Sequence, residues 1–184
     1  MEIIATAIPD VKIICPTIHR DARGYFFESF SERDFHEFVA PDVHFVQDNQ
    51  SASAYGVVRG LHFQKPPYAQ AKLVRCIEGE VLDVAVDIRQ GSPTFGAYVA
   101  VRLSADNCRQ LFIPRGFAHG FSVLSPTAVF QYKCDGYYAP QSEGGINPFD
   151  ADLDIDWLIA QADAILSDKD KARPDFKHFT SPFV

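Results

Sequence analysis

The sequence has no CxxC pair, no apolar run long enough for a membrane helix and no excess of basic charge. Each shortage excludes something. The four cysteines stand apart at 15, 76, 108 and 134, so the paired spacing of a zinc knuckle or dithiol centre is missing. Cys76 and Cys134 fall inside apolar runs, which reads as buried thiols in a reducing compartment. The opening residues Met1-Glu2-Ile3-Ile4-Ala5 carry no basic segment, and Pro9-Asp10 cuts the apolar stretch short, so no secretory signal is expected. Nowhere do about 18 apolar residues follow one another, as a membrane helix would need. A soluble, cytoplasmic protein is the expectation. With 17 Lys and Arg against 24 Asp and Glu, the net charge is −7. That argues against a general nucleic-acid binder, because phosphate contacts need a basic face. A local Arg and Lys cluster holding one small anion remains open.

What is present suits one β-rich domain. The chain has 184 residues, 47% of them hydrophobic, with 16 Phe and 7 Tyr for a core. Twelve Pro and eleven Gly are scattered along it and predict many short elements joined by turns. Two-residue alternation dominates. Leu82, Val84, Val86 and Ile88 share one face while Asp83, Asp87 and Arg89 take the other. Val99, Val101 and Leu103 form a second such stripe, and Ala128, Phe130, Tyr132 and Cys134 a third. Turn formers separate these runs, as in Gln90-Gly91-Ser92-Pro93 and Ser125-Pro126-Thr127. This pattern predicts an antiparallel sandwich or barrel. Helix is sparse: one over Ser31–Val39, capped by Ser31 with Asp34 in the capping-box position, and another over Asp163–Lys171. After about residue 140 the alternation weakens, and the chain is expected to wrap over the barrel.

Several polar residues stand out against this apolar background. Pro114-Arg-Gly116-Phe-Ala-His119-Gly120 is a PxGxxH turn entering an apolar strand, and it resembles the second motif of the metal-binding cupin jelly rolls. Their first motif needs HxH and then Glu, but Gly60-Leu61-His62-Phe63-Gln64 offers Gln as the second ligand. Transition metals prefer several imidazoles with a carboxylate. The spacing leaves three readings: hydrogen-bonded interior histidines, a metal site, or a metal-free polar site. Gln47 and Asn49 share one strand face, and Arg59 and Lys72 in apolar surroundings fit an anionic ligand, since charges are rarely buried unpaired. A solvated face would explain both cations as well. Strict alternation sets Arg59 and His62 on opposite faces, and a bulge at Gly60 would reunite them. By itself Tyr132 reads as a core residue, Tyr137-Tyr138 equally as platform or packing, and Leu166 to Asp170 as a solvated helix end.

Together the residues resemble the dTDP-4-dehydrorhamnose 3,5-epimerase family. The matching stretches are Asp21-Ala-Arg-Gly-Tyr-Phe-Phe-Glu28, Gln47-Asp-Asn-Gln-Ser51, Arg59-Gly-Leu-His62, Lys72, Ile113-Pro-Arg-Gly-Phe-Ala-His119-Gly-Phe121, Tyr132-Lys133, Tyr137-Tyr138 and Ser167-Asp-Lys-Asp170. Any one would be weak, but eight in order cover nearly the whole chain. The resemblance implies a metal-free cupin-type jelly roll, mainly β with a few short helices. It implies one domain over 1–184, whose segment from about 141 to 184 wraps the barrel. It also implies a homodimer that needs no cofactor. The implied substrate is a dTDP-4-keto-6-deoxy sugar, epimerised beside its C4 ketone to dTDP-4-dehydro-L-rhamnose.

The roles implied by the resemblance fall on matching positions. His62 is the base that takes the proton alpha to the ketone, and Asp170 orients and charges its imidazole, with Asp168 the second candidate. Tyr132 is the acid on the opposite face of the sugar. Lys72 sits near the C4 oxygen, where charge gathers in the enolate. Arg23, Glu28, Gln47, Asn49, Arg59, His119, Glu143 and Lys169 hold the nucleotide, diphosphate or sugar, and Asp48 contributes through its backbone. Guanidinium groups suit a diphosphate because they offer paired donors. Tyr138 stacks on thymine. The tail after Asp170, Lys-Ala-Arg-Pro-Asp-Phe-Lys-His, departs from the family pattern. Three alternatives stand beside the double epimerase. They are a C3-only epimerase of a related sugar, a metal-dependent cupin enzyme, and a non-catalytic cupin that binds sugar nucleotides.

Overall fold

A computed structural model of the chain describes residues 1–184. Its strands in chain order are β1 (Glu2–Ala5), β2 (Lys12–Cys15), β3 (His19–Asp21), β4 (Gly24–Phe26), β5 (Gln47–Ala54), β6 (Val58–Gln64), β7 (Lys72–Glu78), β8 (Glu80–Asp87), β9 (Tyr98–Ser104), β10 (Gln110–Ile113), β11 (Phe117–Val123), β12 (Thr127–Cys134) and β13 (Glu143–Gly145). Helix α1 (Glu32–Phe38) lies between β4 and β5, and α2 (Asp168–Lys171) follows β13. Six strands form one antiparallel sheet in the order β1-β2-β10-β7-β12-β5, and five form the facing sheet, β13-β6-β11-β8-β9. The pair β3–β4 stands apart as a hairpin. No helix is long and apolar enough to cross a membrane.

Apolar side chains fill three layers. Val74, Val81, Leu103, Phe121 and Phe130 pack between the sheets. Outside the five-stranded sheet, Leu82, Val84, Val86 and Ile88 are covered by Leu153 and Trp157 and by Phe176, Phe179 and Phe183 from the tail. Outside the six-stranded sheet, α1 presses Phe35 onto Ile14, Leu73 and Phe112. At seven residues α1 is too short to persist alone. That apolar contact holds it, together with Ser31, whose hydroxyl accepts the Asp34 N–H at 3.3 Å.

One point left open by the sequence is settled and one expectation changes. The apolar stripe of β8 faces the tail, so its alternate residues Val81, Asp83 and Ala85 point between the sheets, and Asp83 is fully buried. Alternation gives the two faces but not which one is interior. The helix expected over Asp163–Lys171 is broken, because Ile165 bonds the β5–β6 turn: its N–H reaches Gly56 O at 2.8 Å, and its carbonyl accepts from Val58 N at 3.0 Å. Only Gln161–Asp163, as a 3-10 turn, and α2 remain helical.

Candidate active site

The bulge at Gly60 sets the geometry of the site. His119 of β11 pairs with His62, whereas Phe121, two residues on, pairs with Arg59, three residues back, so β6 carries one extra residue. Gly60 adopts φ +136°, and a Cβ there would meet Gly120 Cα at 2.6 Å and His119 O at 2.9 Å. Only glycine fits this close, left-handed position. Because of the bulge, Arg59 and His62 both line one cleft of about 730 Å³ between the sheets. That is ample room for a small-molecule ligand. The five-stranded sheet contributes Arg59, His62 and Gln64, and the six-stranded sheet contributes Gln47, Asn49, Lys72, Tyr132 and Cys134. Tyr138, Glu143, Lys169 and Asp170 close the rim.

His62 Nε2 lies 2.5 Å from Asp170 Oδ1, across 108 positions of sequence. The imidazole is about one-third exposed, while the Asp170 side chain is 5% exposed. Burial would raise the Asp170 carboxyl, but hydrogen bonds from His62, the Ser167 hydroxyl and the Gly60 N–H outweigh it and hold it below its usual range. Ser167 caps α2 by accepting the Asp170 N–H at 3.1 Å, which fixes where that carboxylate points. Asp168 is fully exposed and pairs only with Lys171, at 3.5 Å.

On the other wall, Lys72 Nζ stands 5.9 Å from the centre of the Tyr132 ring. Burial pushes the Lys72 ammonium below its usual value, against the pull of Asp83 and Glu143. Burial likewise raises the Tyr132 hydroxyl, keeping it protonated and able to donate. His119 stands on the His62 side instead, paired with His62 on the neighbouring strand β11, and its ring stacks on Phe130 between the sheets without lining the cleft. It is buried, and its Nε2 is 2.9 Å from Asp83 Oδ2. Burial drives the two partners towards their neutral forms, raising Asp83 and lowering His119.

At the rim, Glu143 accepts from the Tyr138 hydroxyl at 2.7 Å, from Lys169 Nζ at 2.6 Å and from Arg173. Burial opposes its ionisation, yet these donors bring its carboxyl down to about 2. Gln47 Nε2 donates to Asn49 Oδ1 at 3.0 Å, and its own carbonyl oxygen accepts the Tyr138 N–H at 3.1 Å. Besides His119, two expected ligand residues, Arg23 and Glu28, lie outside the cleft, and Asp48, expected to contribute through its backbone, turns its side chain away from it. Asp48 alternates to the outer face and pairs with Lys133 at 2.9 Å. Arg23 is exposed on the β3–β4 hairpin and pairs with Asp21, and Glu28 lines a separate cavity beside Ser29 and Phe30.

Comparison with known proteins places this architecture. The family model for dTDP-4-dehydrorhamnose 3,5-epimerase matches residues 5–178. This chain belongs to that family. It is 55% identical over 170 residues to the dTDP-4-dehydrorhamnose 3,5-epimerase of Shigella flexneri, covering 92% of this chain and 93% of the relative. Among solved structures, it is 50% identical to a dTDP-6-deoxy-D-glucose-3,5-epimerase from Legionella pneumophila in complex with dTDP-4-keto-L-rhamnose. There the TM-score is 0.93, covering 97% of this chain and 94% of that one. A 3'-monoepimerase from Streptomyces bikiniensis, in complex with dTDP-quinovose, is more distant at 35% identity and a TM-score of 0.86, covering 93% and 86%. The family is that of the resemblance drawn from the motifs.

Within this epimerase-family fold, sequence reasoning missed three residues. Gln64, read as a poor metal ligand, is a backbone clamp. Its amide donates to Tyr68 O and Tyr137 O and accepts from Ala139 N at 2.7 Å, which seats Tyr138. Asp83 was assigned only to the face opposite the apolar stripe of β8, and the fold makes that face interior. Arg173 belongs to the divergent tail, yet it ties Glu143 to the turn after α2. An arginine just past a capped acidic turn is a faint signal, and only the fold gives it meaning.

Proposed function

We propose that this chain epimerises a dTDP-4-keto-6-deoxy sugar at C3 and C5, converting dTDP-4-dehydro-6-deoxy-D-glucose to dTDP-4-dehydro-L-rhamnose. One observation carries the proposal. The His62–Asp170 pair belongs to one wall of the cleft, and Tyr132 and Lys72 belong to the other. Inversion needs a base and an acid on opposite sides of the reacting carbon, because a base that returns its own proton restores the starting configuration.

His62 takes the proton from the carbon beside the ketone, and the bonding pair moves through that carbon to the C4 oxygen as an enolate. The resulting imidazolium is stabilised by the Asp170 carboxylate, and the enolate oxygen by Lys72. Tyr132 then donates its hydroxyl proton to the carbon from the other wall as the enolate collapses to the ketone. Exchange with solvent takes the proton from His62 and restores one to Tyr132, so the net change is stereochemical only. The second carbon follows the same course. Arg59 and Lys169 meet the diphosphate, Gln47, Asn49 and Glu143 the nucleoside and sugar, and the Tyr138 ring the thymine. His119, beside His62 on the neighbouring strand and bonded to Asp83, supports the site without lining it. No step calls for a metal or organic cofactor.

The same reading makes the protein a cytoplasmic homodimer. Arg23 and Glu28 lie outside the cleft of their own chain, and the hairpin that bears Arg23 exposes Tyr25 and Phe26 at 56% and 70%. A partner's cleft would use the charges and cover the rings. Four unpaired thiols suit a reducing compartment.

The direct test is incubation with dTDP-4-keto-6-deoxyglucose in deuterated water, followed by NMR of the product. Deuterium at both C3 and C5 with the L-rhamno configuration is expected. Label at C3 alone would make the protein a C3-only epimerase, and no label would reduce it to a binding protein.

Two variants probe separate parts of the site. Tyr132→Phe should retain some exchange of deuterium, since His62 and Lys72 still form the enolate, while inversion drops sharply and more so at C5 than at C3. Exchange and inversion lost in equal measure would move Tyr132 out of the acid role. Tyr138→Ala should weaken dTDP binding by about 1–3 kcal/mol, the usual range for stacking on a base. Tyr138→Phe should cost little, as the ring face survives the loss of the hydroxyl bond to Glu143. Equal losses in calorimetry would assign the effect to the hydroxyl.

A further inference from the structure

A second group of chemically competent side chains lies outside the cleft, on the outer surface that α1 makes over the six-stranded sheet. Glu32 and His36 stand one turn apart on α1 and share a face. After the helix the chain reverses, and His44 comes back against the same face. Its Nδ1 lies 3.0 Å from Glu32 Oε1, and His36 Nε2 lies 3.9 Å from that same oxygen. The three donor atoms all fall within 4.8 Å of one another.

We propose that Glu32, His36 and His44 form a surface site for a borderline divalent transition metal of the zinc class. Zinc binds imidazole nitrogen and carboxylate oxygen at about 2.0–2.2 Å, so tetrahedral ligand atoms stand roughly 3.3–3.5 Å apart. Observed separations bracket that value, and rotation of side chains by about an ångström would close the set. Two imidazoles with one carboxylate suit zinc, copper or nickel rather than the oxygen-seeking magnesium and calcium. Glu32 and His44 are 56% and 68% exposed, so water has access to a fourth position.

The frame under the donors is rigid. Phe35, next to His36, packs edge-on against Phe45, next to His44, with ring centres 5.0 Å apart, and Phe30 meets Phe45 at 5.5 Å. Neighbours of two of the three ligands are therefore locked together by aromatic contact, and little ordering remains for the ion to impose. His36 is the least exposed donor at 24%, and its Nε2 hydrogen bonds to the Val43 carbonyl at 2.9 Å. Coordination replaces that bond and moves the ring proton to Nδ1. A bound ion would fasten α1 to the segment leading into β5, whose first residue, Gln47, lines the cleft. The site is structural and takes no part in proton transfer.

The test uses full-length protein without a tag, stripped with chelator, dialysed and titrated with zinc chloride by calorimetry. One ion per chain at micromolar affinity is expected, with a melting temperature raised by about 5 °C at saturation and no response to magnesium chloride. His44→Ala and Glu32→Gln should each weaken zinc binding by about tenfold or more. Both variants, stripped of metal, should keep wild-type turnover of the dTDP sugar, as should the stripped wild type. Absence of binding at micromolar zinc would leave the cluster a plain Glu–His hydrogen bond and overturn the proposal. Unchanged affinity in both variants would overturn it too, by placing the ion on other histidines or on the cysteines.

Discussion

His62→Ala will neither invert the sugar nor carry deuterium from solvent into C3 or C5. Both reactions begin with removal of a proton beside the ketone, and His62 is the imidazole of the cleft with a buried carboxylate partner aimed at it. General-base catalysis is worth about 10²–10⁴-fold, and a missing base costs at least the upper part of that range. Loss of exchange is the diagnostic result, because a defect in reprotonation alone would leave it intact. Asp170→Asn should lower the rate less than His62→Ala while the fold stays intact. An amide still accepts a hydrogen bond from the ring but supplies no charge to the imidazolium. Exchange that persists unchanged in His62→Ala would show that another group is the base, and the mechanism would have to be rebuilt around it.

Lys72→Met should reduce kcat by about 10²–10³-fold with a smaller change in KM, the usual cost of removing one preorganised donor from a developing oxyanion. Methionine keeps most of the volume, so packing between the sheets survives and the charge is what is lost. The pH profile gives a second reading of the same residue. Burial depresses the Lys72 ammonium from its ordinary value, and only the charged form stabilises the enolate. Activity should therefore be complete below that lowered value and be lost as pH rises through it. Burial shifts the Tyr132 hydroxyl the other way, upwards, so the alkaline limb belongs to Lys72 and should flatten in Lys72→Met. An effect confined to KM would make Lys72 a contact for bound substrate rather than for the transition state.

Much of this protein was legible in its sequence because the relevant rules act over a few residues. Alternation in Val99–Leu103 and Ala128–Cys134 specifies strands wherever they end up. Ser31 and Asp34 start α1 through a contact three residues long. Gly60 had to accommodate a bulge if Arg59 and His62 were to meet, and the order of the motifs carried the family. What the tertiary structure alone decided depends on contacts between distant segments. Which face of β8 lies inside was fixed by the tail covering Leu82, Val84 and Val86, and that made Asp83 the buried partner of His119. Asp170 was distinguished from Asp168 by the pairing of α2 with a strand 108 residues earlier. Ile165 left its expected helix because backbone bonds to Gly56 and Val58 were available to it. The separation of Arg23 and Glu28 from the cleft is of the same kind, since hairpin β3–β4 joins neither main sheet and no local pattern says where it docks. Local stereochemistry writes elements and turns into the sequence, whereas register, facing and docking are set by burial that exists only once the sheets have closed.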